Sequence, residues 1–199
     1  MTSLFSDSET FELPDADLRY YPHFIPTIDA AAYFARMKEA LPWQQDDITV
    51  FGKTYAQPRL TALFADNGKP YRYSGLTMHP HPFEGDLLEI KSQLEAHTGH
   101  RFTTCLANLY RDGQDSNGWH ADDEPELGRN PVIASISLGQ ERYFHLRHKQ
   151  LKEARHKLLL QTGSLLLMQG AMQHHWQHQI PKTKKTIGAR INLTFRIIN

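Results

Sequence analysis

The chain has almost no cysteine: Cys105 is the single one. That excludes a disulfide framework and a thiolate metal cluster, and the apolar run around Cys105 marks it as a buried structural thiol. Long hydrophobic runs are missing as well. Runs such as residues 158–160 and 165–168 fall far short of the ~20 residues that span a bilayer, so no membrane contact is expected. The first residues carry no basic region followed by an apolar core, so no secretory signal is read. The expected compartment is cytoplasmic, or nuclear in a eukaryotic cell. Neither charge is in excess: 22 Lys and Arg balance 22 Asp and Glu, which argues against a protein that coats nucleic acid indiscriminately. Internal repeats and low-complexity segments are absent too. At 199 residues, with 40% hydrophobic side chains, the chain can bury a core of its own as one domain and, by default, as a monomer.

The charge that is present is unevenly placed. Residues 147–157 hold Arg147, Lys149, Lys152, Arg155 and Lys157 against Glu153 alone, and Lys182, Lys184 and Lys185 form a second basic cluster. Residues 112–126, in contrast, carry six acids. A solvated loop is the plainer explanation for each; a cation-binding pocket beside an anionic polymer is the functional one.

Periodicity divides the chain. Residues 1–26 read as irregular, with acids and Pro14, Pro22 and Pro26. Thr27 or Asp29 is placed to cap a helix running to Leu41, with Ile28, Phe34, Met37 and Leu41 near one face and Pro42 ending it. Residues 48–51 and 71–77 read as short strands, with Asn67-Gly68 as a tight turn. A second helix over 83–97 carries Leu87, Leu88, Ile90 and Leu94 and stops at Gly99. From residue 101 the texture becomes strands and turns, at 102–110, 132–138, 142–147, 157–161, 164–169 and 189–198. The expected class is α+β: a double-stranded β-helix, or jelly-roll, over 101–199, with helices packed on one sheet and an N-terminal extension and helix over 1–42.

The chemistry is concentrated in Trp119-His120-Ala121-Asp122 and in the distant histidines. Strand residues i and i+2 share a face, so His120 and Asp122 can point at one ion. A third imidazole comes from His174, His175 or His178, and spacing alone does not choose among them. Two imidazoles and one carboxylate cap one face of iron(II) and leave the other open for a chelating cosubstrate and O₂, which favours catalysis over a structural zinc. The last strand adds a second clue. Ile191, Leu193, Phe195 and Ile197 alternate as a half-buried strand would, yet Arg190 and Arg196 on the opposite face need a reason. A dianion provides one, because a guanidinium forks onto a carboxylate and stays charged.

Assembled in order, these segments resemble the AlkB family of iron(II)- and 2-oxoglutarate-dependent dioxygenases, in its nucleic-acid-repair branch. The matching stretches are Asn108-Leu109-Tyr110-Arg111, Trp119-His120-Ala121-Asp122-Asp123-Glu124-Pro125, residues 131–139, His175-Trp176-Gln177-His178-Gln179-Ile180-Pro181 and Arg190-Ile191-Asn192-Leu193-Thr194-Phe195-Arg196. The resemblance implies His178 as the distal iron ligand with His120 and Asp122, and leaves His174 and His175 in supporting positions. It implies Arg190 on the distal carboxylate of 2-oxoglutarate and Arg196 toward its metal-side carboxylate, with Asn108, Tyr110, Asn192 and Thr194 as further partners of the cosubstrate. It also implies a nucleotide-recognition region over 43–80. There Tyr73 is a stacking wall opposite His120, Phe51 a wedge for the gap left by a flipped base, and Arg59 a contact near the mouth. Asp123 and Glu124 are placed to attract a cationic base. The implied activity is oxidative demethylation of 1-methyladenine- and 3-methylcytosine-type lesions in alkylated DNA or RNA, consuming 2-oxoglutarate and O₂ and releasing formaldehyde. Two other functions fit parts of the pattern: an iron/2-oxoglutarate hydroxylase or demethylase of a protein or small molecule, and a non-catalytic β-barrel module that retains a metal.

Overall fold

The computed structural model describes residues 8–50, 53–68, 71–73 and 76–198. The N-terminal stretch expected to be irregular contributes two strands, β1 (Glu9–Thr10) and β2 (Asp17–Tyr21). Leu18 and Tyr20 of β2 are buried and alternate with polar neighbours, a period too short to stand out among acids and prolines. α1 (Thr27–Ala40) starts after Pro26, whose fixed backbone stands at the N-cap with no side-chain cap, so neither Thr27 nor Asp29 caps it. Its buried face is Ala30, Tyr33 and Met37, with Phe34 and Leu41 partly covered. Ile28, expected in that stripe, is 78% exposed.

β3 (Asp47–Val50) and β4 (Lys53–Ala56) pair as an antiparallel hairpin. β5 (Leu60–Ala65) follows, and the single strand expected over 71–77 is a second hairpin of β6 (Tyr71–Tyr73) and β7 (Leu76–Met78). α2 (Gly85–Thr98) buries Leu87, Ile90 and Leu94, while Leu88 stays 44% exposed. Gly99 ends it at φ 73°, the left-handed conformation that glycine adopts without a Cβ penalty. Each buried aliphatic of that stripe is worth roughly 1.5–3 kcal/mol, so packing rather than capping fixes the helix.

The remaining elements are β8 (Thr104–Tyr110), β9 (Asn117–His120), β10 (Ile133–Gly139), β11 (Arg142–His148), β12 (Arg155–Leu160), β13 (Leu165–Gln169), α3 (Met172–His175), β14 (Trp176–Ile180) and β15 (Arg190–Arg196). A seven-stranded sheet runs β1-β2-β13-β10-β15-β8-β5 and a four-stranded sheet β12-β11-β14-β9. Every ladder in the two sheets is antiparallel. One apolar cluster, including Tyr110, Ile133, Phe144, Leu166, Trp176 and Ile180, draws on both sheets and lies between them. A second joins α1 and α2 to the large sheet through Ala107, Ile136, Ile191, Leu193 and Phe195. The result is mostly β, a jelly-roll sandwich with its two longer helices on the outside of the larger sheet.

This layering decides what β15 presents. All seven of its residues are buried. Ile191, Leu193 and Phe195 go to the helix side, so the pleat turns Arg190, Asn192, Thr194 and Arg196 into the cleft between the sheets. β8 alternates likewise, with Leu106, Asn108 and Tyr110 on the cleft side.

Candidate active site

His120, the last residue of β9, stands directly opposite His178 on β14, and the two rings are 4.2 Å apart. Asp122 lies beyond the end of β9, so the turn after the strand, and not strand periodicity, brings its carboxylate to the pair. Ligand atoms of His120, Asp122 and His178 all lie within 4.8 Å of one another. His120 Nδ1 is 2.7 Å from the Gly118 carbonyl oxygen, which only accepts. Nδ1 therefore carries the proton and Nε2 keeps its lone pair, toward which Asn117 Nδ2 donates at 3.2 Å.

Burial sets the protonation states. It lowers the pKa of His120, and it pushes His178 down to about 3 with help from the neighbouring His120. Both rings are neutral at pH 7, as metal donors must be. Burial alone would raise Asp122, but the charge and hydrogen bond of the adjacent Arg196 guanidinium are the chief cause that holds the carboxyl at about 2. Arg196 Nη2 donates to Oδ1 at 2.7 Å, while Oδ2 faces His178 Nε2 at 3.9 Å. One carboxylate oxygen is thus tied and the other turned toward the imidazoles.

The cleft continues from the triad along β15 and β8, lined by Asn108, Tyr110, Ser135, Arg190, Asn192 and Thr194 and walled by Leu106, Phe144, Leu160, Met168 and Ile180. Its volume is about 40 Å³, against the ~10–15 Å³ that one water needs, so it is a narrow slot. Most polar groups there satisfy one another: Asn192 Nδ2 donates to Ser135 Oγ (2.7 Å) and Thr194 Oγ1 to Asn192 Oδ1 (2.8 Å). Arg190 is an exception, as is His178, whose buried Nδ1 has no hydrogen-bond partner among the described residues. Arg190 is 1% exposed and donates through Nη2 to Ser137 Oγ at 2.9 Å, yet its buried Nε and Nη1 have no hydrogen-bond partner. Burial draws its pKa down to about 10 despite the adjacent Tyr110. A buried cation with two idle donors, beside a neutral-imidazole and carboxylate triad, fits a divalent metal and a carboxylate ligand bound together.

The other predicted residues fall in different settings. Glu124 is half-buried, its Oε2 is buried without a partner, and burial raises its pKa, with Asp122 and Asp123 adding to the rise. Asp123 is exposed and paired with Lys149 Nζ at 3.0 Å. Arg59 departs from its expected place at the mouth. It is 4% exposed and donates to Asn108 Oδ1 (2.8 Å) and the Ser116 carbonyl (3.3 Å), so it orients a cleft amide instead of reaching outward. Tyr73 ends β6 opposite Leu76, and Phe51 lies outside the described residues.

A second cluster, Asp15, His148 and His175, also brings ligand atoms within 4.8 Å. His148 Nδ1, however, accepts from the Gln150 and Leu151 backbone N–H groups (3.1 and 3.0 Å), so the proton sits on Nε2, which faces Asp15 at 3.3 Å. That ring has no lone pair to give a metal and serves as a latch for the N-terminal segment, as does the Trp176 indole donating to the Pro14 carbonyl at 2.8 Å. His174 accepts from Asn130 N at 3.3 Å, outside the triad. Sequence reasoning missed Asn117, Ser135, Ser137 and Gln173. Only Asn117, three residues before His120, carried any local signal.

The fold and site are those of a metal-dependent oxygenase, and residues 17–196 match the family described as the 2OG-Fe(II) oxygenase superfamily. The chain belongs to that superfamily, in its AlkB branch. It is 44% identical over 191 residues to bovine alpha-ketoglutarate-dependent dioxygenase alkB homolog 3, covering 89% of this chain and 64% of the relative. To the bovine DNA oxidative demethylase ALKBH2 it is 41% identical over 159 residues, covering 76% of this chain and 57% of the relative. The chain therefore spans less than two thirds of either. In fold it is similar to the structure titled "The structure of OsALKBH1", with a TM-score of 0.61 at 17% identity over 96% of this chain and 100% of the other. The family's cofactors are iron(II) and 2-oxoglutarate, with O₂ as the second cosubstrate. No helix among the described residues is long and apolar enough to cross a membrane.

Proposed function

We propose that this chain is an iron(II)- and 2-oxoglutarate-dependent demethylase of N-alkylated nucleobases, of the 1-methyladenine and 3-methylcytosine type, in DNA or RNA. The observation that carries the reading is the triad of half-buried His120 with buried Asp122 and His178, sharing one slot with Arg190, whose Nε and Nη1 have no hydrogen-bond partner among the described residues. Relatives named as DNA oxidative demethylases support the substrate class. When bound, iron(II) with 2-oxoglutarate supplies an O₂-derived oxidant that hydroxylates the methyl carbon, yielding succinate, CO₂ and a hydroxymethyl base that sheds formaldehyde.

The chain's own residues hold and shield that chemistry. His120 and His178 offer neutral nitrogens, and Arg196 keeps the Asp122 carboxylate ionised and oriented. Arg190 takes the distal carboxylate of 2-oxoglutarate, with Tyr110, Asn192 and Thr194 beside it, and Arg196 lies toward the metal-side carboxylate. Asn108 lines the same slot, turned by Arg59. Phe144, Leu160, Met168 and Ile180 exclude water. A slot this narrow excludes a stacked duplex, so the base arrives flipped or single-stranded. The buried Oε2 of Glu124, next to the triad, accepts from the exocyclic amine of a cationic lesion, with Asp123 further out. Residues 43–80, including both small hairpins, form the nucleotide-recognition region. There Phe51 is the wedge, Tyr73 the stacking wall, and Tyr55, 53% exposed on β4, an added aromatic surface. We assign residues 1–199 to one catalytic domain acting as a cytoplasmic or nuclear monomer.

The test is anaerobic iron(II) loading, then 2-oxoglutarate, oxygen and a 1-methyladenine oligonucleotide, with formaldehyde and succinate both measured. Equimolar products, lost in His120→Ala and Asp122→Ala, are expected. Succinate without formaldehyde moves the substrate to a protein or small molecule. Neither product from iron-loaded protein overturns the catalytic reading.

A further inference from the structure

Asp122 is held at two points, and the second one lies outside the cleft. Its carboxylate is tied by Arg196, but its buried backbone N–H donates to Gln173 Oε1 at 2.9 Å. Gln173 is 1% exposed and sits in the one-turn α3, which leads directly into β14 and hence to His178. Its Nε2 contacts Met168 Sδ at 3.6 Å, which leaves Oε1 as the end turned to Asp122. Its backbone carbonyl accepts from Lys149 Nζ at 3.0 Å, and the same ammonium pairs with Asp123, the residue after the ligand, at 3.0 Å. Lys149 N in turn donates to the His175 carbonyl at 2.7 Å. The segment carrying Asp122 and the segment carrying His178 are therefore cross-tied through one amide and one ammonium.

From this geometry we infer that Gln173 is a positioning residue for the metal centre, fixing the backbone of the carboxylate ligand while Arg196 fixes its rotation. Lys149 is the second tie of the same brace. The inference rests on Asp122 being a metal ligand. The turn bearing Asp122 is irregular and has no ladder partner, so without Gln173 its N–H loses its only hydrogen-bond acceptor among the described contacts. The carboxylate then swings about its own backbone, and the angle between Oδ2 and the imidazoles is no longer set. Groups that orient metal ligands from behind typically change metal affinity or activity by about 10–100-fold when removed.

The experiment compares Gln173→Leu, which keeps side-chain bulk and removes the acceptor, with Lys149→Met and with Asp122→Ala. Cobalt(II) binding is titrated anaerobically by its visible absorption, and thermal unfolding of the metal-free proteins is recorded alongside. Expected for Gln173→Leu is an affinity loss of about 10–100-fold with an altered cobalt spectrum, in a protein that unfolds cooperatively. Lys149→Met, on an exposed pair, shows a smaller loss in the same direction and carries the test if Gln173→Leu does not fold. With iron and substrate, succinate exceeds formaldehyde as carboxylate positioning loosens. Parent-like cobalt affinity and spectrum in a folded Gln173→Leu, or in Lys149→Met where that is the folded variant, overturns the inference. If Asp122→Ala also binds cobalt like the parent, the metal-site reading itself has failed, which is a different result.

Discussion

Arg190 places function and stability in opposition. Burial draws its pKa from 12.5 down to about 10, which corresponds to roughly 3 kcal/mol of lost solvation. Its bond to Ser137 and the Tyr110 ring beside the guanidinium oppose that loss, but Nε and Nη1 meet no hydrogen-bond acceptor among the described residues. Arg190→Met keeps an unbranched side chain of similar reach and removes the charge. The ligand-free variant is expected to be as stable as the parent or more stable by about 1–3 kcal/mol, as when buried charges give way to apolar side chains. Binding moves the other way. Two charge-assisted hydrogen bonds at about 1.5–3 kcal/mol each make the Kd for 2-oxoglutarate rise by roughly a hundred-fold or more.

Thermal unfolding with manganese(II) in place of iron, with and without 2-oxoglutarate, reads both effects. At a hundred times its Kd the ligand stabilises the parent by ~2.7 kcal/mol, about 5–11 °C for a chain of this size. In Arg190→Met that shift vanishes at the same concentration while the ligand-free midpoint holds or rises. A variant that loses more than about 2 kcal/mol without ligand, yet keeps the full shift, would refute the reasoning, because Arg190 would then be structural.

Asp122→Asn removes the charge that Arg196 faces at 2.7 Å, so beyond losing iron it is expected to cost about 3–5 kcal/mol in urea unfolding; an unchanged midpoint contradicts this. Glu124→Gln keeps the shape of a side chain whose Oε2 is buried without a partner and removes its charge. Turnover of cationic 1-methyladenine falls several-fold relative to a neutral methylated base, and an equal fall for both removes Glu124 from lesion selection. Burial works to raise Asp115, but Arg111 at 2.7 and 2.9 Å holds its pKa low. The stability from that pair is therefore full above the ordinary carboxyl pKa and lost as pH falls through the depressed one. Asp115→Asn accordingly flattens the acid limb of a stability–pH curve, and an unaltered limb rejects the assignment.

What was legible in the sequence was whatever rests on local pattern. Six of the eight strands from residue 104 onward and the stripe Leu87, Ile90 and Leu94 follow simple local patterns, whereas β9 and β14, which carry His120 and His178, were not among the segments read as strands. The arginines of β15 stood out because they sit on the face opposite an intact apolar alternation, where a charge needs a partner. β2 was not legible, since five residues flanked by acids and prolines carry too short a period, and its place beside β13 is a long-range pairing. The three triad residues do come together, though not by strand periodicity alone: Asp122 lies beyond the end of β9. Arg59 was misplaced because a sequence does not say whether a guanidinium turns inward, and here Asn108 and Ser116 turn it in. Gln173 carried no signal at all, since its partner is a backbone N–H 51 residues away.

The charges of the slot bear on one last expectation, the coupling of metal and cosubstrate. Arg190, Arg196 and Asp122 are each at most 4% exposed, so an ion entering alone brings its full charge into a poorly solvated space. A divalent cation and a dianion entering together cancel each other. Arg196 adds a mechanical link, because the guanidinium proposed to lie toward the cosubstrate's metal end also donates to Oδ1 of Asp122. Loading either partner therefore favours the other, and linkage requires the same factor in both directions. Calorimetric titration of 2-oxoglutarate into metal-free and manganese(II)-loaded protein is expected to differ by at least ~5-fold in Kd, at the lower end of ordinary coupling. On the proposed assignment of Arg190 to the distal carboxylate, Arg190→Met is expected to weaken both titrations and leave the ratio. Equal affinities with and without metal in the parent would mean that the cosubstrate lies away from the triad, and that the idle donors of Arg190 serve another anion.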